Sequence, residues 1–155
     1  MLFAAGQKHL PRAPRAGNLR SVSALPPGDP FAVEDVRAFV PARDFAVSKA
    51  FYESIGWSTV WTDGDGLALM ELGGHRFMLQ NFYVEQWAEN FMFTIVVVDA
   101  TAWFQRVSDA LSSGSYGNAR VAEPKHEDWG ATVTYVWDPS GVLLHFTQWD
   151  ALPSS

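Results

Sequence analysis

The stretch RDFAVSKAFYESIGW, residues 43–57, has the features of a short amphipathic helix with a signal at each end. Asp44 is placed to accept a hydrogen bond from an amide of the first helical turn, and Gly56 suits the left-handed conformation in which many helices end. Apolar side chains recur at helical spacing between these two residues. The pattern predicts a helix from about Phe45 to Ser54, with an inner face formed by Phe45, Ser48, Phe51, Tyr52 and Ile55.

Strand-like segments lie on both sides of this helix. Residues 36–40 precede it and stop at Pro41, which cannot extend a central ladder. Glycine-rich turns at 63–66 and 73–74 divide the residues that follow. We expect strands at 57–62, 67–72 and 76–82. The first half of the chain is therefore predicted to be a βαβββ unit.

The same order of elements recurs in the second half, at an offset of 55 residues from Asp44 to Asp99. Each aspartate follows an apolar strand and opens a helix, and the second helix should end near Leu111. We further predict a linker or short helix at 83–90, strands at 91–98 and 120–122, a polar loop at 123–130, and a hairpin of strands 131–137 and 142–149. Internal duplication predicts an α+β fold of two tandem βαβββ modules. The alternative is two βα units that share their spacing by coincidence.

A single folded domain is expected at residues 33–150, with module one at about 36–82 and module two at about 91–149. The preceding residues, 1–32, contain no continuous apolar segment of the kind found in secretory signals. We interpret them as a disordered leader, although a cloning remnant, an upstream-translated stretch or a transit peptide would have a similar composition. Residues 151–155 are expected to be a short tail.

The charge balance argues against a nucleic-acid partner. The chain has 11 basic and 17 acidic residues and a formal net charge of -6, whereas a groove that follows phosphates needs the opposite sign. A cationic small molecule is a better partner, although mild acidity also simply keeps proteins in solution. No apolar run approaches the roughly 18 residues of a membrane span, so we expect no membrane partner.

Two features of the composition bear on the chemistry. The absence of cysteine excludes disulfides, thiolate metal ligands and cysteine nucleophiles, and it fits a cytoplasmic location. Aromatic residues make up 14% of the chain and include seven tryptophans. Part of this surplus could line a ligand cavity, and the alternative is a core that is rich in aromatic side chains.

Two segments resemble motifs of a known superfamily. Residues 43–57 resemble the D-L-x-x-S-x-x-F-Y-x-x-L-G-F segment of the glyoxalase/bleomycin-resistance/extradiol-dioxygenase proteins, the vicinal oxygen chelate superfamily. Residues 129–146 resemble its W-G…D-P-x-G-x-x-x-E-F ending, and the resemblance covers roughly Val36–Gln148. It implies two modules whose mixed sheets curl into an open cup around a cleft. It does not imply one activity, because this scaffold serves lyases, dioxygenases, transferases and drug-binding proteins.

Metal-dependent members of the superfamily hold a divalent ion with His, Gln or Glu from the first and last strands of each module. The resemblance places these positions at Arg37, Met92, His145 and, depending on strand register, Met78 or Gln80. A guanidinium is not a metal ligand, a thioether suits hard cations poorly, and an amide oxygen binds weakly. Because His145 alone is a competent ligand, we expect no divalent metal cofactor.

The resemblance also indicates which side chains face a ligand. Alternation along the last strand turns His145 toward the cup, although a lone histidine on a strand is often structural. The polar segment 126–128, His-Glu-Asp, contains three potential metal ligands, but adjacent residues rarely chelate one ion. We therefore interpret it as a solvated loop and not as a metal site. No catalytic residue is proposed, and the candidate ligand-binding residues are Arg37, Trp61, Gln80, Met92, Trp129, Tyr135, Trp137 and His145.

The first hypothesis for function is a metal-free small-molecule binding protein of the bleomycin-resistance type. It would sequester an aromatic or cationic organic ligand in an aromatic-lined cleft and so confer antibiotic resistance. The resemblance further implies a homodimer whose clefts are built from both chains. One alternative is a lyase, isomerase or dioxygenase of the same superfamily with an atypical or absent metal. Another is an interaction module with a vestigial cup.

Overall fold

The computed structural model describes residues 30–151. Every helix and strand of this region lies in one compact unit that begins at Val36. None of these helices is long and apolar enough to cross a membrane. The predicted leader, 1–32, lies outside the described residues except at its last three positions, and so does the predicted tail, 151–155, except at Ala151.

Module one forms a four-stranded sheet, here called sheet A. Its elements are β1 (Phe39–Pro41), α1 (Phe45–Ser54), β2 (Ser58–Thr62), β3 (Leu67–Leu72) and β4 (His75–Gln80). The strand order is β1-β4-β3-β2, and only the β1–β4 pair is parallel. The predicted helix is confirmed, with the Asp44 carboxylate accepting a hydrogen bond from the Val47 amide at 3.0 Å. Gly56, just beyond the helix, has the expected positive φ of 111°.

The predicted bounds of the first strand were wrong. It was expected at 36–40 but runs from Phe39 to Pro41, and its first inter-strand bond joins the Met78 amide to the Ala38 carbonyl. Pro41 can end this strand because β1 lies at the edge of the sheet, where a missing amide donor leaves no partner unpaired. Arg37 therefore precedes the first strand instead of lying on it.

Module two repeats the topology in sheet B. After the linker helix α2 (Glu85–Ala88) come β5 (Met92–Val96), α3 (Ala100–Ser113), β6 (Arg120–Val121), β7 (Lys125–Glu127), β8 (Ala131–Trp137) and β9 (Leu143–Trp149). The order is β5-β9-β8-β6, with β7 also on β8, and β5 is parallel to β9 as β1 is to β4. Asp99 caps α3 by accepting from the Ala102 amide at 2.9 Å.

The polar loop predicted at 123–130 is in part a strand. β6 and β7 both pair antiparallel with β8, and between them the register shifts by one residue around Pro124. β2 has a comparable shift between Thr59 and Trp61. We therefore identify β6 and β7 together as the counterpart of β2, which completes the βαβββ order of module two.

The helices cover one face of each sheet and enclose a shared core. The Tyr52 ring on α1 lies 4.9 Å from Phe77 on β4, and the Trp103 ring on α3 stacks on Phe146 of β9 at 4.4 Å. Buried residues of both modules form one continuous apolar cluster. Burial of this surface is the main stabilising contribution to the fold. The predicted fold of two tandem βαβββ modules is confirmed.

The two sequence motifs meet inside this core. The Tyr52 hydroxyl donates to the Asp138 carboxylate at 2.9 Å, and the same carboxylate accepts the amides of Ser140 at 2.8 Å and Val142 at 2.9 Å. The hydroxyls of Ser48 and Ser140 lie 3.2 Å apart. The motif residues thus join the helix of module one to the last hairpin of module two, which gives them a structural role.

Candidate ligand-binding site

Each sheet has one face turned away from the helices, here called its cup face. On sheet A, strand register aligns Phe39, Met78, Leu69 and Trp61 in one row across the four strands. The neighbouring row contains Gln80, paired with Pro41 and Leu67. Met78 and Gln80 therefore lie on the same face of β4. The strand register thus does not decide which of the two occupies the position where the superfamily places a metal ligand.

An aromatic cavity of about 400 Å³ lies at the Gln80 end of this cup face. The Phe82 and Trp87 rings lie 6.2 Å apart, and the Trp87 side chain is largely exposed. The cavity falls within the size range of small-molecule sites. Its lining consists of Phe39, Pro41, Gln80, Phe82, Trp87 and Phe91.

The cup face of sheet B carries more of the predicted residues. One row joins Met92, Leu143, Trp137 and Arg120 across β5, β9, β8 and β6. The adjacent row centres on His145, which pairs with Thr94 and Tyr135. Sequence alternation correctly predicted that His145 faces away from the helix side, on which the flanking Leu144 and Phe146 are fully buried.

His145 has a polar atom without a hydrogen-bond partner. Its ring meets the Tyr135 ring edge to face at 4.9 Å, and its buried Nε2 atom has no hydrogen-bond partner among residues 30–151. Burial lowers the pKa of His145, which the nearby Glu127 carboxylate opposes in part. The imidazole is therefore neutral near pH 7 and able to pair with a polar ligand atom.

Tyr135 is held in place by Glu127 of β7. The Tyr135 hydroxyl donates to the Glu127 carboxylate at 2.9 Å, and the Lys125 ammonium contacts both carboxylate oxygens at 3.0 and 2.9 Å. Burial and the adjacent carboxylate raise the pKa of Tyr135 to about 12. The Lys125 and Tyr135 hydrogen bonds lower the pKa of Glu127 against the effect of burial. Tyr135 thus remains a protonated donor and Glu127 an anion.

Aromatic and apolar surface surrounds this polar group. The Arg120 guanidinium lies 4.1 Å from the Trp137 ring centre, a cation–π distance. Met92 at the edge strand is 57% exposed, which is high for a large apolar side chain on a sheet. Sheet B can therefore offer a ligand a ring face, an imidazole, a carboxylate and an apolar border.

The other predicted residues lie apart from this group. Trp61 and Gln80 belong to the cup face of sheet A, and Arg37 is exposed ahead of β1. Trp129 lies in the turn before β8, where it packs on Trp149 with ring centres 5.4 Å apart. Within the described chain, the predicted set is thus divided between two cup faces, the turn before β8 and the segment before β1.

At the four positions where metal-dependent members of the superfamily hold an ion, most side chains of this chain are poor metal ligands. The side chains there are the Arg37 guanidinium, the Met92 thioether, the His145 imidazole and, on β4, the Met78 thioether or the Gln80 amide. Among residues 30–151, no group of three or more His, Asp or Glu side chains is arranged to hold an ion. This donor set does not fit a hard divalent cation, which needs several oxygen or imidazole ligands together.

Sequence reasoning missed Glu127, which it assigned to a solvated loop. The side chain of Glu127 is only 13% exposed, whereas the neighbouring His126 points outward to Asp150, with which it pairs at 3.0 Å. No pattern in the sequence indicated strand β7, because residues 125–127 are all polar and show no apolar alternation. Arg120, which stacks on Trp137, was also missed as a site residue.

The chain is similar in sequence to a known protein, although not to a family model. No model of a known protein family matches the chain. A bleomycin resistance protein from Klebsiella pneumoniae is 29% identical over 113 residues, which cover 70% of this chain and 87% of that protein.

The fold of the chain is also similar to solved structures of bleomycin resistance and bleomycin-binding proteins. A bleomycin resistance determinant encoded on the transposon Tn5 superposes with a TM-score of 0.63 and 26% identity, covering 77% of this chain and all of the other. A bleomycin-binding protein complexed with bleomycin has the same TM-score and 24% identity, covering 75% and 98% of the two chains. This chain is therefore similar in sequence to a bleomycin resistance protein and has the fold of the solved bleomycin resistance and bleomycin-binding proteins.

Proposed function

We propose that this chain is a small-molecule binding protein that sequesters a bleomycin-type ligand and thereby confers antibiotic resistance. The observation that carries the proposal is the cup face of sheet B, where His145, Tyr135 and Trp137 lie on adjacent strands and present an aromatic surface with few polar groups. Ligand sites of this kind combine apolar area with a few placed hydrogen-bonding groups. The similarity to bleomycin resistance proteins supports the choice of ligand class.

We further propose that binding needs no metal ion held by the protein. The Arg37 and Met92 side chains leave His145 and the weak Gln80 amide as the only donors at the superfamily positions. The protein would then bind its ligand without converting it. Without a metal ion, the affinity depends on ring stacking, hydrogen bonds and charge.

The proposed assembly is a two-fold homodimer in which each cleft uses both chains. Large apolar side chains of β5 support this, since Met92 and Val96 are 57% and 62% exposed on the cup face. Val98, just beyond the strand, is 94% exposed. Exposed large apolar side chains grouped along one edge strand are suited to a contact with a second chain.

Calorimetric titration of bleomycin into the full chain tests the function. We expect the same saturable binding of metal-free bleomycin by untreated protein and by protein that was dialysed against EDTA and then into metal-free buffer. Binding that is lost after this dialysis, and returns when the protein is reloaded with metal and freed of the excess, would contradict the metal-free proposal. An absence of heat and of any thermal shift with bleomycin would contradict the function itself.

A further inference from the structure

A carboxylate that is mostly shielded from solvent lies beside the ring-lined part of sheet B. Glu127 faces the cup, its side chain is 13% exposed, and the Tyr135 hydroxyl fixes one of its oxygens at 2.9 Å. Tyr135 in turn contacts the His145 ring. This anion is paired with one cation, Lys125, whose ammonium contacts both carboxylate oxygens at 3.0 and 2.9 Å.

The cation that neutralises Glu127 is held loosely. Lys125 lies two residues earlier on the same short strand, and its side chain is 67% exposed. An exposed ammonium on a flexible four-carbon stem gains little from such a pair and is readily replaced. The carboxylate therefore has one fixed donor, Tyr135, and one exchangeable cation.

A second cation covers the neighbouring aromatic ring in the same manner. Arg120 is exposed on the short strand β6, and its guanidinium lies over Trp137 at 4.1 Å. The ring of Trp137 is thus placed to receive a planar cation, and Arg120 occupies that place. Two groups suited to cations, a carboxylate and an indole, are each occupied by a flexible side chain of the protein itself.

We propose that Glu127 is the recognition carboxylate for a cationic group of the ligand, and that binding displaces Lys125 from it. The ligand class is an aromatic or ring-bearing amine, amidine or guanidine. Its cation pairs with Glu127 while its ring lies against Tyr135 or Trp137. This inference rests on the proposed binding function. It adds that the ligand is positively charged and that Glu127 recognises this charge.

Benzamidine and benzamide form a matched pair of probes, since they share a shape and differ in charge. NMR titration of the wild-type chain should give tighter binding of benzamidine than of benzamide. Glu127→Gln should weaken benzamidine binding about tenfold, the usual effect of losing a charge-assisted hydrogen bond, and leave benzamide binding unchanged. Lys125→Ala should strengthen benzamidine binding several-fold, because no resident cation competes.

The opposite effects of these two variants separate recognition from a structural ion pair. A structural pair would give weaker or unchanged binding in both, and that result would overturn the inference. Glu123→Gln, an exposed carboxylate in the same region, is the control and should change neither probe. If bleomycin binds the wild-type and Glu127→Gln chains equally, and benzamidine does too, the inference fails while the binding function stands. If bleomycin does not bind the wild-type chain, the proposed function fails.

Discussion

The imidazole of His145 lies in the middle of the sheet B cup face, between Thr94 on β5 and Tyr135 on β8. Its buried Nε2 atom lacks a partner among the described residues. A buried polar atom without a hydrogen bond is uncommon, and it costs stability unless another molecule completes it. A ligand atom that pairs with Nε2 would recover this cost on binding.

Replacing His145 should therefore change binding more than folding. We expect His145→Leu to lower bleomycin affinity about tenfold, since one hydrogen bond in a shielded site is lost. The thermal unfolding temperature should not fall, because the variant also removes an unsatisfied group. His126→Leu is the control at an exposed position paired with Asp150, and it should leave affinity within about twofold. Full affinity in His145→Leu, measured by calorimetry, would remove His145 from the site.

Residue-level prediction from sequence worked where a strand alternates between buried and exposed positions. The alternation of Leu144 and Phe146 with His145 was enough to place the imidazole on the cup face. It failed for Glu127, because three polar residues carry no apolar period and β7 forms only by pairing with β8. Whether any of the eight candidate residues contacts a ligand remains a prediction.

The buried hydrogen bond between Tyr52 and Asp138 connects the first helix, α1, to the last hairpin. The Tyr52 hydroxyl is the only side-chain donor to Asp138 among the described residues, and both groups are fully buried. Tyr52→Phe should lower the free energy of unfolding by about 1–3 kcal/mol, because a buried carboxylate oxygen loses its donor. Tyr83→Phe, which removes a surface hydroxyl bonded to Arg43, should cost less than about 0.5 kcal/mol. Urea unfolding measures both, and equal effects would argue against a role for this link.

The same pair makes stability depend on pH. Burial raises the pKa of Asp138 to about 6, above the ordinary 3.8. The folded chain then binds this proton more tightly than the unfolded chain. The contribution of protonated Asp138 to the free energy of unfolding is therefore complete below about pH 4 and is lost as the pH rises through about 6. The loss should be on the order of 3 kcal/mol. Relative to wild type, Asp138→Asn should show no such decline, and an identical pH profile for the two chains would contradict the assignment.

Elements with strong local signals were predicted well, and those without were not. Asp44 and Asp99 marked both long helices because an aspartate before an apolar periodic segment satisfies the free amides of the first turn. The ends of β1 and β5 were misplaced, because the partner strand decides where pairing begins. The division of the β2 counterpart into β6 and β7 depends on a register shift that no sequence pattern indicated.

At the scale of the whole molecule, duplication fixes the architecture. Both sheets place the first strand of the module parallel to the last, and one core joins the modules. The 55-residue repeat predicted this topology because each module must bury its apolar face with the same elements. The association of two chains could not be predicted in the same way, since it depends on surfaces that the repeat does not constrain.

Dimer formation is tested by mass in solution. The chain has a mass of 17.2 kDa, and light scattering should give twice this value for the wild-type protein. Met92→Glu together with Val96→Glu should shift the distribution toward the monomer, because two buried charges disfavour an apolar contact. Val60→Glu, an exposed apolar position on β2, is the control. A monomeric wild-type protein at working concentrations would contradict the proposed assembly.

The central claim, that a bleomycin-type ligand occupies the sheet B cup face, is tested most directly by NMR titration of the isotope-labelled chain with bleomycin. We predict saturable shifts of the Trp137 indole and of backbone amides in β5, β8 and β9, with the Trp103 indole on the helix side unchanged. An absence of saturable shifts, or shifts confined to α3 and the surface around Trp103, would contradict it.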